Sequence, residues 1–94
     1  MMDDNNKICR KELLFVPYQV TRIEPYAYRG DQKLRFVFIA GDLTEIGEGA
    51  FEGCSALEKI NLPRTLRRIG SKAFAGCGRL VEAEIPEGCR VAED

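Results

Sequence analysis

The chain has 94 residues, a net charge of −1 and no histidine. At that length folding removes only roughly 60–65% of the surface exposed by the unfolded chain, so one small domain is expected and every apolar position counts. The balanced charge argues against nucleic acid and membrane surfaces as partners, and the missing histidine removes the commonest general base and metal ligand.

Residues 1–13 read as an N-terminal cap or tail. The first residues carry two aspartates and no apolar run longer than four, so they are not a secretory signal. Nothing later is long enough to span a bilayer, so membrane insertion is not expected and a cytoplasmic protein is. From residue 14 onward the chain repeats itself. IGEGAFEGCSALEKINLP at 46–63 returns as IGSKAFAGCGRLVEAEIP at 69–86, an offset of 23. Stepping back once gives a weaker copy, with Ile23, Ala27, Tyr28, Gly30, Leu34, Val37 and Ile39 in phase. Stepping back again leaves half a copy at Leu14, Val16 and Pro17. The solenoid therefore spans 14–94, with repeats at about 20–42, 43–65 and 66–88, a leading half-repeat and a C-terminal stub in which Ala92 stands where Ile69 stands.

Each unit has two parts. L-x-x-I-x-L-P shows strand alternation, and its proline, with no N–H to donate, ends the strand. I-G-x-x-A-F-x-G-C places Gly47 and Gly70 at a sharp turn, where a positive φ suits a residue without a Cβ, and then allows about one helical turn. A unit this short cannot bury its own apolar side; stacked units bury a continuous core. Phe51 and Phe74 are expected as buried anchors of successive coils.

Leu57-x-x-Ile60-x-Leu62-Pro63-x-x-Leu66-x-x-Ile69-Gly70-x-x-Ala73-Phe74-x-Gly76-Cys77 resembles the BspA-like, or Treponema pallidum-type, leucine-rich repeats. The resemblance covers nearly everything from Leu14 to Cys89. It implies an α/β fold: a short right-handed solenoid with a parallel sheet on the concave side and short helical or irregular segments on the convex side. It also implies a non-enzymatic protein, similar to bacterial surface proteins that bind host matrix proteins or other bacteria. The first copy departs from the motif at Glu24, Asp31 and Ala40, as a modified, cap-like repeat would.

Cys54 and Cys77 share one repeat position, on rungs about 4.8 Å apart. A disulfide is one reading; a ladder of small buried hydrophobes is preferred, since free cysteine usually behaves so. Cys89 falls at a core position and Cys9 lies outside the repeat. No CxxC pair and no zinc set occurs, and neither a metal nor a cofactor is expected. Arg64, Arg67, Arg68 and Lys72 form a basic run, read as a solvated turn. Glu82 and Glu84 share one strand face, but with no pocket or nucleophile nearby they do not amount to a catalytic pair, and no catalytic residue is assigned. Glu45, Glu48, Glu52 and Glu58 read as solvent-facing.

Outward strand positions, read down the stack, give Leu13 and Phe15, Phe36 and Phe38, Lys59 and Asn61, then Glu82 and Glu84. These eight are the candidate partner-binding residues. The first two rows are apolar, and an exposed apolar patch marks a contact site unless residues 1–12 fold over it as a cap. The expected function is a non-catalytic protein–protein interaction module. The alternative is self-assembly, a homodimer through the solenoid ends, where strands near Leu14 and Ile85 present unpaired edges.

Overall fold

The computed structural model describes residues 8–10, 12–81 and 83–92, the first three through their backbone alone. Among the described residues eight short strands follow one another: β1 (Ile8–Arg10), β2 (Leu13–Val16), β3 (Arg22–Ile23), β4 (Phe36–Ile39), β5 (Glu45–Ile46), β6 (Lys59–Ile60), β7 (Arg68–Ile69) and β8 (Arg90–Val91). They form two sheets, in the orders β1-β2-β4-β6 and β3-β5-β7-β8. Every pairing is parallel except β1 with β2. The chain thus climbs one rung of each sheet per coil.

The register repeats the sequence offset. Leu13 lies opposite Phe36 and Phe36 opposite Lys59 in the first sheet; Arg22 lies opposite Glu45 and Glu45 opposite Arg68 in the second. Inward positions carry Leu14, Val16, Val37, Ile39 and Ile60 from the first sheet and Ile23, Ile46 and Ile69 from the second, all buried. Leu34, Leu43, Leu57 and Leu66 fill the space between. β-branched residues dominate the rungs because two of their substituents pack well on a pleated surface.

The third wall is made of turns, and no helix forms among the described residues. The hydrogen bonding gives the reason. In the first full coil Ala27, Arg29 and Asp31 donate three residues back, while Tyr26, Tyr28 and Gly30 donate to Glu48, Ala50 and Glu52 of the next coil. The second coil repeats this: Ala50, Glu52 and Cys54 bond within the turn, and Gly49, Phe51 and Gly53 reach Ser71, Ala73 and Ala75. An α-helix would need all of these amides to donate four residues back. Here every other amide is spent on the neighbouring coil.

Several expectations change in this frame. Gly47 and Gly70 do not have positive φ; the left-handed positions among the described residues are 26, 49 and 72, then 30, 53 and 76, and Gly88. Glycine at 47 answers to space instead. A Cβ there would lie 2.6 Å from the backbone nitrogen of Pro25, and one on Gly70 would come closer still to that of Glu48. Phe51 is fully buried, but Phe74 is only partly so, stacked on Phe51 on one side. Leu14 is not on an edge strand, because β1 adds to β2 from outside. The cap therefore extends the sheet laterally; residues 1–7 and 11 lie outside the described set. Ile85 is 53% exposed and in no strand, so it belongs neither to the core nor to a sheet edge. Finally, Ile69 pairs with Val91 and not with Ala92.

Candidate functional site

The outer face of the first sheet builds up from β4. Its sequence FVFI alternates faces, so Val37 and Ile39 enter the core and Phe36 and Phe38 turn outward. β2 does the same with Leu13 and Phe15 outward. Parallel register then sets Leu13 beside Phe36 and Phe15 beside Phe38. The Phe15 and Phe38 rings stack with centroids 5.7 Å apart and planes 14° from parallel. Phe38 remains 50% exposed and Leu13 43%, whereas Phe15 and Phe36 are half-buried.

Phe36 is covered from the side. The Arg35 guanidinium sits 5.0 Å from its ring centre, a cation–π distance. Arg35 also bridges two coils, its Nη1 3.1 Å from Glu12 and its Nε 2.8 Å from Glu58. Those two carboxylates hold the Arg35 pKa above its ordinary value. Glu58, expected to be merely solvent-facing, is thus one of the three members of a ladder Glu12–Arg35–Glu58 that borders the apolar patch. The ladder was detectable in the sequence as an acid–base–acid series at the repeat spacing.

Lys59 is exposed on the next rung. Asn61 is not a free recognition group. Its Oδ1 accepts from the Ile39 N–H at 2.7 Å and its Nδ2 donates to the Ile39 carbonyl at 2.8 Å. A side-chain amide so continues the ladder for β4 beyond the point where β6 ends. Glu84 is exposed and in no strand, and Glu82 lies outside the described residues, so the fourth row is not confirmed as a strand face. Leu13, Phe36, Phe38, Lys59, Glu84 and the exposed Val81 together line one open hollow over this face. Val81 was not among the predicted site residues; it continues the column of Glu12, Arg35 and Glu58 with an apolar side chain.

Cys54 and Cys77 make a separate column. Cys54, Cys77 and Cys89 are free. Cys54 Sγ donates to the Tyr28 carbonyl at 3.1 Å and Cys77 Sγ to that of Phe51 at 3.2 Å. Burial pushes the Cys54 thiol up to about 12 and raises Cys77 as well. The preferred reading, a small buried side chain, holds for Cys54, whereas Cys77 is only partly buried; both thiols also tie their coil to the one before. In the first copy Asp31 takes this position and closes its own turn, accepting from Lys33 N–H at 2.9 Å and Leu34 N–H at 3.1 Å.

Among the described residues no group of three or more His, Cys, Asp or Glu is placed to hold a metal, and no helix is long and apolar enough to cross a membrane.

Residues 7–94 match the family described as "BspA type Leucine rich repeat region (6 copies)". The chain is also similar to the crystal structure, at 1.19 Å resolution, of a leucine-rich repeat protein from Bacteroides ovatus ATCC 8483. The TM-score is 0.78 and the identity 37%, over 88% of this chain and 21% of that one. The chain therefore spans about a fifth of that protein's length. A search of curated proteins gave no match. The residues that carry the repeat, the register that stacks them and the matched family agree: the chain belongs to the BspA-type leucine-rich repeat family.

Proposed function

We propose that the chain is a non-catalytic protein–protein interaction module whose working surface is the outer face of the first sheet. The observation that carries this reading is the half-exposed Phe38, stacked on Phe15 beside the exposed Leu13, on a rigid parallel sheet. Fixed aromatic side chains in a hollow are what interface hot spots are made of, because they bury much area at little cost in side-chain entropy. The polar border of Arg35, Glu58 and Lys59 supplies the rim that surrounds such anchors. Family likeness extends the proposal to adhesion, the role the resemblance implies.

The test is a selection of displayed peptides against the folded chain, followed by titration of the winners. Leu13→Ser with Phe38→Ser should weaken binding by about thirtyfold, the scale of a lost hot spot. The melting midpoint should move little, because neither side chain is in the core. Unchanged affinity in that variant would move attention away from this face. Phe36→Ser is a poorer probe, since it also strips the platform from under Arg35.

A further inference from the structure

One outward column of the first sheet runs Phe15, Phe38, Asn61, at the spacing of the repeat. Phe15 and Phe38 lie directly opposite each other and stack at 5.7 Å. On the turn wall a second ring column, Tyr28, Phe51 and Phe74, follows the same repeat: neighbouring rings are 5.6 Å apart, with planes 11° and 5° from parallel. The coil spacing therefore accommodates a ring on every rung at this distance. The outward column stops after two. Its third place is held by Asn61, whose amide is turned onto the Ile39 backbone, 2.7 Å from the N–H and 2.8 Å from the C=O. Phe15 covers one face of the Phe38 ring. The other face looks along the column toward that amide, and Phe38 stays 50% exposed.

The space beside that ring face belongs to the open hollow over the first sheet, about 830 Å³ in volume. Leu13, Phe36 and Val81 give the hollow apolar walls, and two charged residues line it. Lys59 already has a partner. Glu84 is exposed and forms no ion pair among the described residues. The hollow lies on the side of the stack, not at its end, so a further coil above or below would lengthen the columns without filling it.

We propose that this slot takes an aromatic side chain of a partner protein as the third ring of the outward column, with a lysine or arginine next to it in the partner reaching Glu84. The inference rests on the outer face of the first sheet being the working surface, and it names what that surface selects. An incoming ring meets the free face of Phe38 at the stacking distance the fold already uses, and aromatic pairs gain beyond their buried area. A small aromatic molecule alone is held less well: ligand sites enclose most of a small ligand, and this hollow is open. A residue within a chain adds contacts along Leu13 and Val81. A nucleobase would bring phosphates to a rim that carries Glu12, Glu58 and Glu84. A sugar also stacks on rings, but its hydroxyls need polar side chains, and Asn61 has committed its amide to Ile39.

The test titrates the full chain with acetyl-Gly-Gly-Phe-Lys-Gly-Gly-amide while NMR follows the Phe38 ring and the Asn61 side-chain amide. The peptide should shift both signals and bind about fivefold more tightly than its leucine-for-phenylalanine version, the scale of a ring–ring contact. Glutamate in place of its lysine should weaken binding about threefold, and Glu84→Lys should reverse that order. Phe38→Leu keeps an apolar side chain on the face but should remove the preference for phenylalanine over leucine. Asn61→Phe should fill the slot with the chain's own ring and abolish binding; if that variant fails to fold, Phe38→Leu decides the matter. Equal binding of the phenylalanine and leucine peptides, both lost in Leu13→Ser with Phe38→Ser, would overturn the ring slot and leave the face as an interaction surface. No shift at Phe38 with any of the peptides would remove both. Tighter binding of maltotriose or of a uridine oligonucleotide than of the peptide would overturn the choice of a protein partner. So would contacts between the Phe38 ring and the methyl groups of Met1 or Met2 in the free chain; the occupant would then be the chain's own first residues.

Discussion

At the scale of single residues, most positions answer to the coil above or below, not to their sequence neighbours. Cys54 illustrates this and has a measurable consequence. Its thiol is fully buried, donates to a carbonyl of the preceding coil and keeps its proton up to about pH 12, because burial opposes the thiolate. In the unfolded chain the same thiol ionises near 9.0. Above pH 9 the unfolded state sheds a proton that the folded state retains, so stability falls as pH rises between 9 and 12. The melting midpoint of the parent chain should decline over the accessible part of that window, and Cys54→Ala should show a flatter decline about a lower starting value. An identical slope in the two proteins would mean the thiol is not buried as described. Burial of Cys54 was legible in the repeat. The role of Gly47 and Gly70 was not. A glycine repeated in a turn suggests positive φ, yet these two are small because another backbone passes against them, and a backbone-to-backbone distance across coils leaves no local trace. One of the two left-handed positions of each coil was hidden further, since Tyr26 and Lys72 occupy it beside Gly49.

At the scale of elements, the strands of the first sheet were readable, and the second sheet and the turns were not. FVFI and its partners alternate as strands do, and the offset of 23 sets the register of β2, β4 and β6, though not that of β8 on β7. The turn wall was expected to include about one helical turn because E-G-A-F-E-G-C has the composition for it. Propensity lost to stacking: half of the turn amides find acceptors on the neighbouring coil, and a helix would forfeit those bonds. Asn61 shows the same competition. On the sequence it is an outward polar residue available to a partner. In the fold it substitutes for backbone, matching both the N–H and the C=O of Ile39. Asn61→Ala should cost about 1–2 kcal/mol, the net value of two modest hydrogen bonds. Asn61→Asp should cost at least as much, because a carboxylate can accept from the N–H but sets a second acceptor against the Ile39 carbonyl. Chemical denaturation of the two variants decides the matter. Stability equal to the parent in both would return Asn61 to the list of free recognition residues.

At the scale of the whole molecule, each coil touches only the one before and the one after. Stability in such an array is approximately a sum of coil terms and nearest-neighbour terms. The middle coil, 43–65, has a hydrogen-bonded neighbour on both sides: it accepts from Tyr26, Tyr28 and Gly30 and donates from Gly49, Phe51 and Gly53. Phe51 likewise lies between Tyr28 and Phe74 in a three-ring stack, at 5.6 Å from each. β8 has a described neighbour on one side only. Opening free energies in native proteins follow this kind of local support. Amide exchange should therefore be slowest at Phe51 and Gly70, whose bonds tie the middle coil to the third, and fastest at Arg90 and Ala92, with Tyr28 and Gly30 between. The gradient should persist at pH values that leave the global melting midpoint unchanged. Uniform protection from Tyr28 to Ala92 would show a single cooperative unit, and the nearest-neighbour description would fail. A gradient falling toward β8 would place the most readily opened strand where Arg68 and Arg90 lie opposite each other, a like-charge pairing that weakens a sheet.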